Sequence, residues 1–153
     1  MPKAFNMEET MAKLLVVYAS RTGQTHKIAE LIAEGARIAG AEASVVDVKQ
    51  ISSPDALEGY DAYAFGSATY HGKMMNSMEQ MLFIAEKAGL EGKRAGAFGA
   101  FGWSGEASER IYETMVNVFG MQGVGGPLRL KGPMLEGAIP MAHSYGKRLV
   151  EGL

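Results

Sequence analysis

The chain has 153 residues, of which 47% are hydrophobic and 21% charged, and this composition is typical of one folded domain and not of a disordered chain. Its 17 acidic and 15 basic residues leave a net charge of -2, which gives no electrostatic reason to expect nucleic acid or an anionic membrane as a partner. There is no cysteine, which excludes disulfides, thiolate-bound iron–sulfur clusters, cysteine-type zinc sites and cysteine nucleophiles.

Short apolar strands alternate with helical patterns along the chain. The first predicted strand is almost entirely apolar, as expected for a strand that is buried on both faces. In chain order the predicted strands are 14–18, 43–48, 61–66, 93–99 and 124–130. Glycines weaken the case for the last of them. The small residues of the fourth strand would let a helix pack close against it.

Apolar residues at helical spacing predict a helix after the first, third, fourth and fifth strands. The first three of these helices are expected to end at Gly40, near Gly89 and at Gly120, because glycine is favoured just past a helix end. The second helix is rich in methionine. Such a stretch is more typical of an adaptable core than of a partner surface. Its methionines, with those just before it, are Met74, Met75, Met78 and Met81.

Two prolines mark helix starts. Residues 52–55 are predicted to form a short helical turn, which tolerates Pro54 in its first positions. Pro140 would cost about 3 kcal/mol in a helix interior, because it lacks an N–H donor and clashes with the preceding turn. We therefore expect the final helix to start near Gly137, with Pro140 in its first turn.

This alternation predicts a doubly wound α/β fold, in which a five-stranded parallel sheet lies between helices on both faces. The strand order that suits it is 2-1-3-4-5, with right-handed crossovers. In such a sheet the ligand lies beyond the carboxyl ends of the strands, at the switch point between strands one and three. Unusual polar loops follow strands one, three and four, and they occupy residues 20–25, 66–73 and 99–106.

The loop after the first strand has the composition of an anion site. Ser20, Thr22 and Thr25 supply hydroxyls, Gly23 allows a tight turn, and a helix follows at once. Backbone N–H groups at a helix N-terminus favour a phosphate. The loop has no lysine, which indicates a monophosphate held by neutral groups. In isolation the same residues would be interpreted as a helix cap formed by Thr22 or Thr25, but the preceding buried strand favours the anion site.

The other two loops carry aromatic residues among glycines. Trp103, the single tryptophan, is interpreted as a stacking platform for a planar ring, and the alternative is a half-buried loop anchor. Tyr70 could cover the opposite face of that ring, with the same alternative, whereas Phe101 is more typical of core. The three loops together predict a guest with a phosphate tail and a flat aromatic head.

Residues beside these aromatics have less specific interpretations. His71 is interpreted as an exposed loop residue, with contact to the edge of the ring as the alternative. Gly72 could permit a peptide flip, since glycine accepts a positive φ readily. Glu106 suits the first turn of a helix, and Arg21 is expected to point to solvent.

The segment Ser20-Arg21-Thr22-Gly23-Gln24-Thr25 resembles the phosphate loop of flavodoxins. Residues 66–70 and 99–107 are similar to the flavodoxin-like domain at the carboxyl end of flavodiiron proteins. The resemblance covers nearly the whole chain from Leu14 and implies a flavodoxin-like fold with FMN as the cofactor. The phosphate contacts it implies are Ser20, Thr22, Gly23, Gln24 and Thr25. The ring contacts it implies are Ser67, Ala68, Thr69, Tyr70, Gly72, Phe101, Gly102, Trp103 and Gly105, and His71 is a further candidate between them.

Three features depart from these relatives. The sequence has no flavodiiron metal domain, so neither a metal site nor reduction of oxygen or nitric oxide by that chemistry is expected, and no catalytic residue is predicted. Many flavodoxins place the tryptophan in the earlier ring loop, whereas here Tyr70 comes first and Trp103 second. The last strand leaves little room for a long insertion, which indicates a short-chain form.

The leading hypothesis is an FMN-dependent electron carrier that cycles between oxidised, semiquinone and hydroquinone FMN. Backbone donors near Trp103 and Gly105 would hold the pyrimidine edge without a full positive charge, which would lower the second-electron potential. A carbonyl near His71 or Gly72 would stabilise the neutral semiquinone. The alternative is an FMN enzyme that passes electrons from NAD(P)H to quinones. The absence of a Gly-x-Gly-x-x-Gly motif argues against that alternative.

The remaining expectations concern organisation and partners. Residues 1–12 are expected to be a flexible lead-in and residues 13–153 a single FMN-binding domain. Redox partner proteins are expected, with no nucleic acid or membrane partner, and the chain is expected to be a monomer or a weak homo-oligomer. With neither a signal peptide nor an apolar run long enough to span a membrane, a cytoplasmic protein is expected.

Overall fold

The computed structural model describes residues 11–101 and 105–153. Residues 1–10 of the predicted lead-in therefore lie outside the described residues. The described residues form seven strands and four α-helices. In chain order they are β1 (Lys13–Ala19), α1 (Gln24–Ile38), β2 (Glu42–Asp47), β3 (Ala62–Ser67), β4 (Thr69–Tyr70), β5 (Lys73–Met74), α2 (Asn76–Ala85), β6 (Arg94–Ala100), α3 (Glu106–Glu113), β7 (Gln122–Leu130) and α4 (Ala138–Val150). Short 3-10 turns cover Val48–Gln50 and Pro54–Leu57, and α3 continues as a π-helix over Thr114–Val118.

Five strands form one parallel sheet in the order β2-β1-β3-β6-β7. This arrangement confirms the predicted doubly wound fold and its order 2-1-3-4-5. The labels differ only because β4 and β5 form a separate antiparallel hairpin after β3. The carboxyl ends of the five parallel strands therefore lie along one edge of the sheet, where the predicted loops begin.

The sheet separates two hydrophobic cores, as the alternation of side chains along β1 shows. Leu14 and Val16 pack on the face that is covered by α1 and α4. Leu15 and Val17 pack on the face that is covered by α2 and α3. The second core also buries Met78 and Met81 of α2, which confirms the prediction that these methionines belong to the core.

A helix packs close against β6, as the small residues of that strand predict. A Cβ atom added at Gly96 would lie 2.9 Å from Cδ2 of Leu149 and 3.0 Å from Cε2 of Tyr145, both on α4. A side chain at this position would therefore push α4 away from the sheet.

The glycines in β7 form a β-bulge. The pairing register shifts between Ala95 and Ala97 of β6, and Gly125 and Gly126 on the opposite strand have φ values of 73° and 69°. Glycine adopts this left-handed region at little cost, so these residues bend the strand without ending it. The predicted fifth strand is thus confirmed, although it begins at Gln122 and not at residue 124.

A buried hydroxyl from α4 completes the hydrogen bonds at this bulge. The hydroxyl of Tyr145 accepts the N–H of Ala97 at 2.9 Å, and it lies 2.6 Å from the carbonyl oxygen of Gly126 and 3.1 Å from that of Ala97. Burial raises the pKa of this phenol, an effect that the hydrogen bond with Ala97 partly offsets. The folded state therefore binds the phenolic proton more tightly than the unfolded chain does.

Replacing Tyr145 by phenylalanine is expected to lower the free energy of unfolding by about 2 kcal/mol, because the N–H of Ala97 would lose its partner in a buried place. Since the folded-state pKa is raised, the stability that Tyr145 contributes is fully present below about pH 10 and falls as the pH rises further. Urea unfolding at neutral pH and above pH ~10 tests both effects. Tyr60→Phe serves as the control, and equal alkaline losses in wild type and Tyr145→Phe would contradict the assignment.

The start of the final helix agrees with the prediction from Pro140. Helix α4 begins at Ala138, and Gly137 before it has a φ of 84°. Pro140 therefore lies in the first turn, where its missing N–H removes no intrahelical bond. Across residues 11–101 and 105–153, no helix combines the length and the apolar character that crossing a membrane requires.

Candidate cofactor site

The loop between β1 and α1 is a tight turn held by its own residues. Gly23 precedes the helix with a φ of 93°, and its N–H donates to Oγ of Ser20 at 2.9 Å. No side chain caps the helix, so the interpretation of Thr22 or Thr25 as a helix cap is wrong. The N–H groups of the first turn of α1 therefore remain available to a ligand.

Thr25 carries a buried hydroxyl without a partner. The residue is 1% exposed, and its Oγ1 has no hydrogen-bond partner among the described residues. An unsatisfied buried hydroxyl costs about 1–3 kcal/mol, and folds keep such a group where a ligand satisfies it or where function requires it. This atom therefore indicates a polar ligand at the first turn of α1.

A cavity of about 350 Å³ opens at the carboxyl edge of the sheet and brings the predicted loops together. Its walls come from the β1 loop, the β4–β5 hairpin and the ends of β6 and β7. The lining residues are Thr22, Gln24, Thr25, Ala68, Thr69, Tyr70, Ala100, Phe101 and Lys131. The β1 loop and the start of α1 contribute two hydroxyls and an amide to this wall, and the hairpin and the end of β6 contribute two aromatic residues, Tyr70 and Phe101. This lining suits a ligand with a polar end and a flat end.

The second predicted loop forms a hairpin with a two-residue turn. Tyr70 pairs with Lys73, and between them His71 and Gly72 have φ values of 53° and 77°. Two successive positive φ angles are the geometry of a type I′ turn, which matches the twist of a hairpin. Glycine adopts the positive φ of Gly72 readily, and the peptide flip at this position stays a prediction. His71 is exposed at the tip and does not line the cavity.

Two hydroxyls hold this hairpin in place. Ser67 is fully buried, and its Oγ donates to the carbonyl of Ala68 and accepts the N–H of Met75, both at 2.9 Å. Oγ1 of Thr69 accepts the N–H of Ala107, at 3.1 Å, at the start of α3. The side chain of Ser67 is thus occupied within the protein, so its contribution to the site is to position the loop.

Arg21 connects the first loop to the hairpin. Its side chain is exposed, as predicted, but the guanidinium carbon lies 5.2 Å from the centre of the Tyr70 ring. A cation over an aromatic face at an exposed site contributes about 0.5–1 kcal/mol. This contact holds one wall of the cavity against another.

The third predicted loop is described only at its two ends. The N–H of Phe101 donates to the carbonyl of Leu130 at 3.1 Å, which ties the end of β6 to the end of β7. Gly105 precedes α3, and a Cβ added to it would lie 2.6 Å from Cδ of Arg129. The predicted contacts of Gly102 and Trp103 lie outside the described residues.

Two lining residues, Ala100 and Lys131, were not predicted from the sequence. Ala100 is the last residue of β6, one position before the predicted Phe101. Lys131 directly follows the last residue of β7. The available signal for Lys131 was its position, since every parallel strand of such a sheet ends at the same edge. The polar loops after strands one, three and four account for only part of the cavity wall.

Comparison with known proteins places this geometry among flavin-binding folds. The family model described as flavodoxin matches residues 16–140. A solved flavodoxin from the domain Archaea superposes with a TM-score of 0.84 at 30% identity, covering 91% of this chain and 96% of that one. The flavodiiron protein of Giardia intestinalis gives a TM-score of 0.79 at 30% identity, covering 90% of this chain but 35% of that protein.

Some curated relatives are named as enzymes and not as flavodoxins. The NAD(P)H dehydrogenase (quinone) of Rhodopseudomonas palustris is 31% identical to this chain, and the alignment covers 93% of this chain and 84% of the dehydrogenase. A dehydrogenase of the same name from Archaeoglobus fulgidus is 32% identical, and the chain spans 63% of its length. Both matches bear on whether the chain carries electrons or uses NAD(P)H itself.

Proposed function

This chain belongs to the flavodoxin family, and on that premise we propose that it is an FMN-dependent electron carrier that works with redox partner proteins. The observation that supports this most directly is the buried, unpartnered hydroxyl of Thr25 at the cavity that joins the three predicted loops. When bound, FMN supplies the redox chemistry, because it can take up one or two electrons. The residues of the chain supply binding, orientation and access.

The described residues fit a phosphorylated flavin. The phosphate would lie at the β1 loop, where Thr22, Gln24 and Thr25 provide polar groups beside the free N–H groups of α1. The ring would lie between the hairpin and the end of β6, where Tyr70 and Phe101 line the same cavity. On this basis we propose the predicted set of contacts except for Ser67, which positions the hairpin, and His71, which does not line the cavity. Gly102 and Trp103 remain in that proposed set, although they lie outside the described residues.

The protein's own contacts would keep these groups in place before the cofactor arrives. Ser20 fixes the turn at Gly23, and Ser67 closes the base of the hairpin through the N–H of Met75. Thr69 ties the hairpin to the start of α3. A site whose groups are already positioned loses less conformational entropy when a ligand binds. The aromatic walls would also limit the access of water to the ring.

The positive φ of Gly72 gives a test of the hairpin's role. A non-glycine residue costs about 1 kcal/mol in the left-handed region, so Gly72→Ala should disfavour backbone arrangements that depend on this angle. For one electron, about 1 kcal/mol corresponds to about 40 mV. We therefore expect the difference between the potentials for adding the first and the second electron to bound FMN to narrow by about 40 mV, as measured by anaerobic potentiometric titration. Gly59→Ala, at a φ of 96° with no atom near the added Cβ, controls for backbone strain alone. Unchanged potentials in Gly72→Ala would remove this role.

A second function is favoured by the relatives named NAD(P)H dehydrogenase (quinone), which match over most of the chain. In that case the chain would take electrons directly from NAD(P)H and pass them to a quinone. The two functions share the flavin site, and they differ in whether a second protein is needed to reduce it.

The test is to load the purified protein with FMN and mix it anaerobically with NADPH or NADH, with and without a ferredoxin–NADP reductase. A carrier should be reduced only when the reductase is present, with loss of the flavin absorbance. Rapid reduction by the nucleotide alone, followed by turnover with a soluble quinone, would establish the second function. A protein that binds no FMN would contradict both.

We also propose that residues 13–153 form one FMN-binding domain, that the protein is a monomer or a weak homo-oligomer, and that it acts in the cytoplasm without nucleic acid. The five-stranded sheet, which contains both β1 and β7, supports a single domain, and the net charge of -2 supports a role without nucleic acid. Sedimentation velocity on the FMN-loaded protein over a range of concentrations tests the oligomeric state.

A further inference from the structure

Lys131 occupies a distinctive position at the candidate site. It directly follows β7, and the hydrogen bond between the Phe101 N–H and the Leu130 carbonyl holds the end of that strand beside the end of β6. Lys131 lines the same cavity as Thr22, Thr25 and Tyr70. Lys131 is the only residue with a charged side chain among the described residues that line this cavity.

The charge of Lys131 is not balanced by a neighbour in the described parts of the chain. The ion pairs found there join His26 to Glu30, Arg129 to Glu109 and His143 to Glu34. Arg129, which lies on β7 two positions before Lys131, is thus paired with Glu109 at 2.9 Å, whereas Lys131 has no such partner among the described residues. No acidic side chain lines the cavity within the described residues, so an anion placed there would meet an uncompensated cation.

A neighbouring cavity shows which end of the site Lys131 adjoins. This cavity, of about 420 Å³, is lined by Thr22 and Gly23 of the β1 loop, by residues of α1 and by Pro133. The lining residues from α1 are Gln24, His26, Lys27 and Glu30. Thr22 and Gln24 belong to both cavities. The segment that carries Lys131 and Pro133 therefore lies against the β1 loop, where the polar groups for an anion are concentrated.

We propose that Lys131 is a specificity residue that pairs with the phosphate of the bound flavin and so favours FMN over riboflavin. This inference rests on the proposed function. It differs from the prediction made from the sequence, in which neutral groups alone hold the phosphate. The β1 loop would supply directional N–H and O–H donors, and Lys131 would supply the formal charge that a phosphate dianion attracts.

The experiment compares the affinities of FMN and riboflavin for wild type, Lys131→Gln, Lys131→Arg and Lys147→Gln, using the quenching of flavin fluorescence. Lys147 lies in the last turn of α4, a helix end that is tied by Arg94 to the start of β6 and so to the opposite edge of the sheet. Lys131→Gln should bind FMN about tenfold more weakly, as expected for a hydrogen bond to a charged group, and riboflavin with unchanged affinity. Lys131→Arg should retain most of the FMN affinity, and Lys147→Gln should behave as wild type.

The salt dependence adds a second readout. Added salt should weaken FMN binding less in Lys131→Gln than in wild type, because the screened charge pair is already absent. Unchanged FMN affinity in Lys131→Gln would overturn the inference. Equal losses for FMN and riboflavin would also overturn it, because they would show a role at the ring or in folding. If wild type binds FMN in these experiments, either result leaves the proposed function standing, whereas failure of wild type to bind FMN would remove both.

Discussion

Replacing Gly146 by alanine is expected to destabilise the fold by about 3 kcal/mol, although alanine is the better helix former by about 1 kcal/mol. Gly146 lies inside α4, where an added Cβ would be 1.9 Å from the carbonyl oxygen of Ile32 and 3.0 Å from the backbone nitrogen of Ala36. Both atoms belong to the backbone of α1, so no side chain can rotate away to make room. The two helices would have to move apart.

The same crossing has a second glycine on the opposite helix. A Cβ added at Gly35 of α1 would lie 2.2 Å from the carbonyl oxygen of His143 on α4. The two helices therefore touch backbone to backbone, and separating them would loosen the core that Leu14 and Val16 share with both helices. Because the cofactor loop leads directly into α1, we also expect Gly146→Ala to weaken the binding of FMN.

Urea unfolding of the apoprotein measures this effect, and thermal unfolding should show a melting temperature lower by about 10 °C. Gly132→Ala is the matched control, since no atom lies within 4 Å of its added Cβ and its φ is not in the left-handed region. The control should be neutral or slightly stabilising. A Gly146→Ala protein as stable as wild type would show that helix propensity outweighs the contact.

Much of the fold could be predicted from local patterns. The apolar run of β1 marks a strand buried on both faces, and Gly40 and Gly120 follow helical segments with φ values of 99° and 70°. Pro140 and Gly137 fix the start of α4 because proline is tolerated only in a first turn. These features depend on residues that are near each other in the sequence, and the strand order then follows from the rules of parallel sheets.

The parts that were missed depend on distant residues. The bulge at Gly125 and Gly126 keeps its place in the sheet because Tyr145, from the following helix, satisfies the backbone at Ala97. From the local sequence alone, these glycines only weaken the prediction of the fifth strand. Lys131 lines the candidate cofactor cavity because β7 ends beside β6, which is a property of the sheet and not of the residues around the lysine. The hairpin strands β4 and β5 are too short to give a periodic pattern.

Thr25→Val is expected to stabilise the apoprotein by about 1 kcal/mol and to weaken FMN binding by about 10- to 100-fold. Valine has nearly the same shape as threonine, so the substitution removes the hydroxyl without leaving a cavity. In the apoprotein that hydroxyl is buried without a partner, and its removal relieves an unfavourable desolvation. In the loaded protein the same hydroxyl would donate to the phosphate, and that hydrogen bond would be lost.

The opposite signs make this test informative, because a purely structural role would move stability and binding in the same direction. The measurements are urea unfolding of the apoprotein and flavin fluorescence titration with FMN. Thr25→Ser keeps the hydroxyl and removes a methyl group, so it should retain most of the FMN affinity while lowering apoprotein stability by about 1 kcal/mol. If Thr25→Val lowered the stability of the apoprotein, the hydroxyl would have a partner within the protein, and Thr25 would no longer identify the phosphate site.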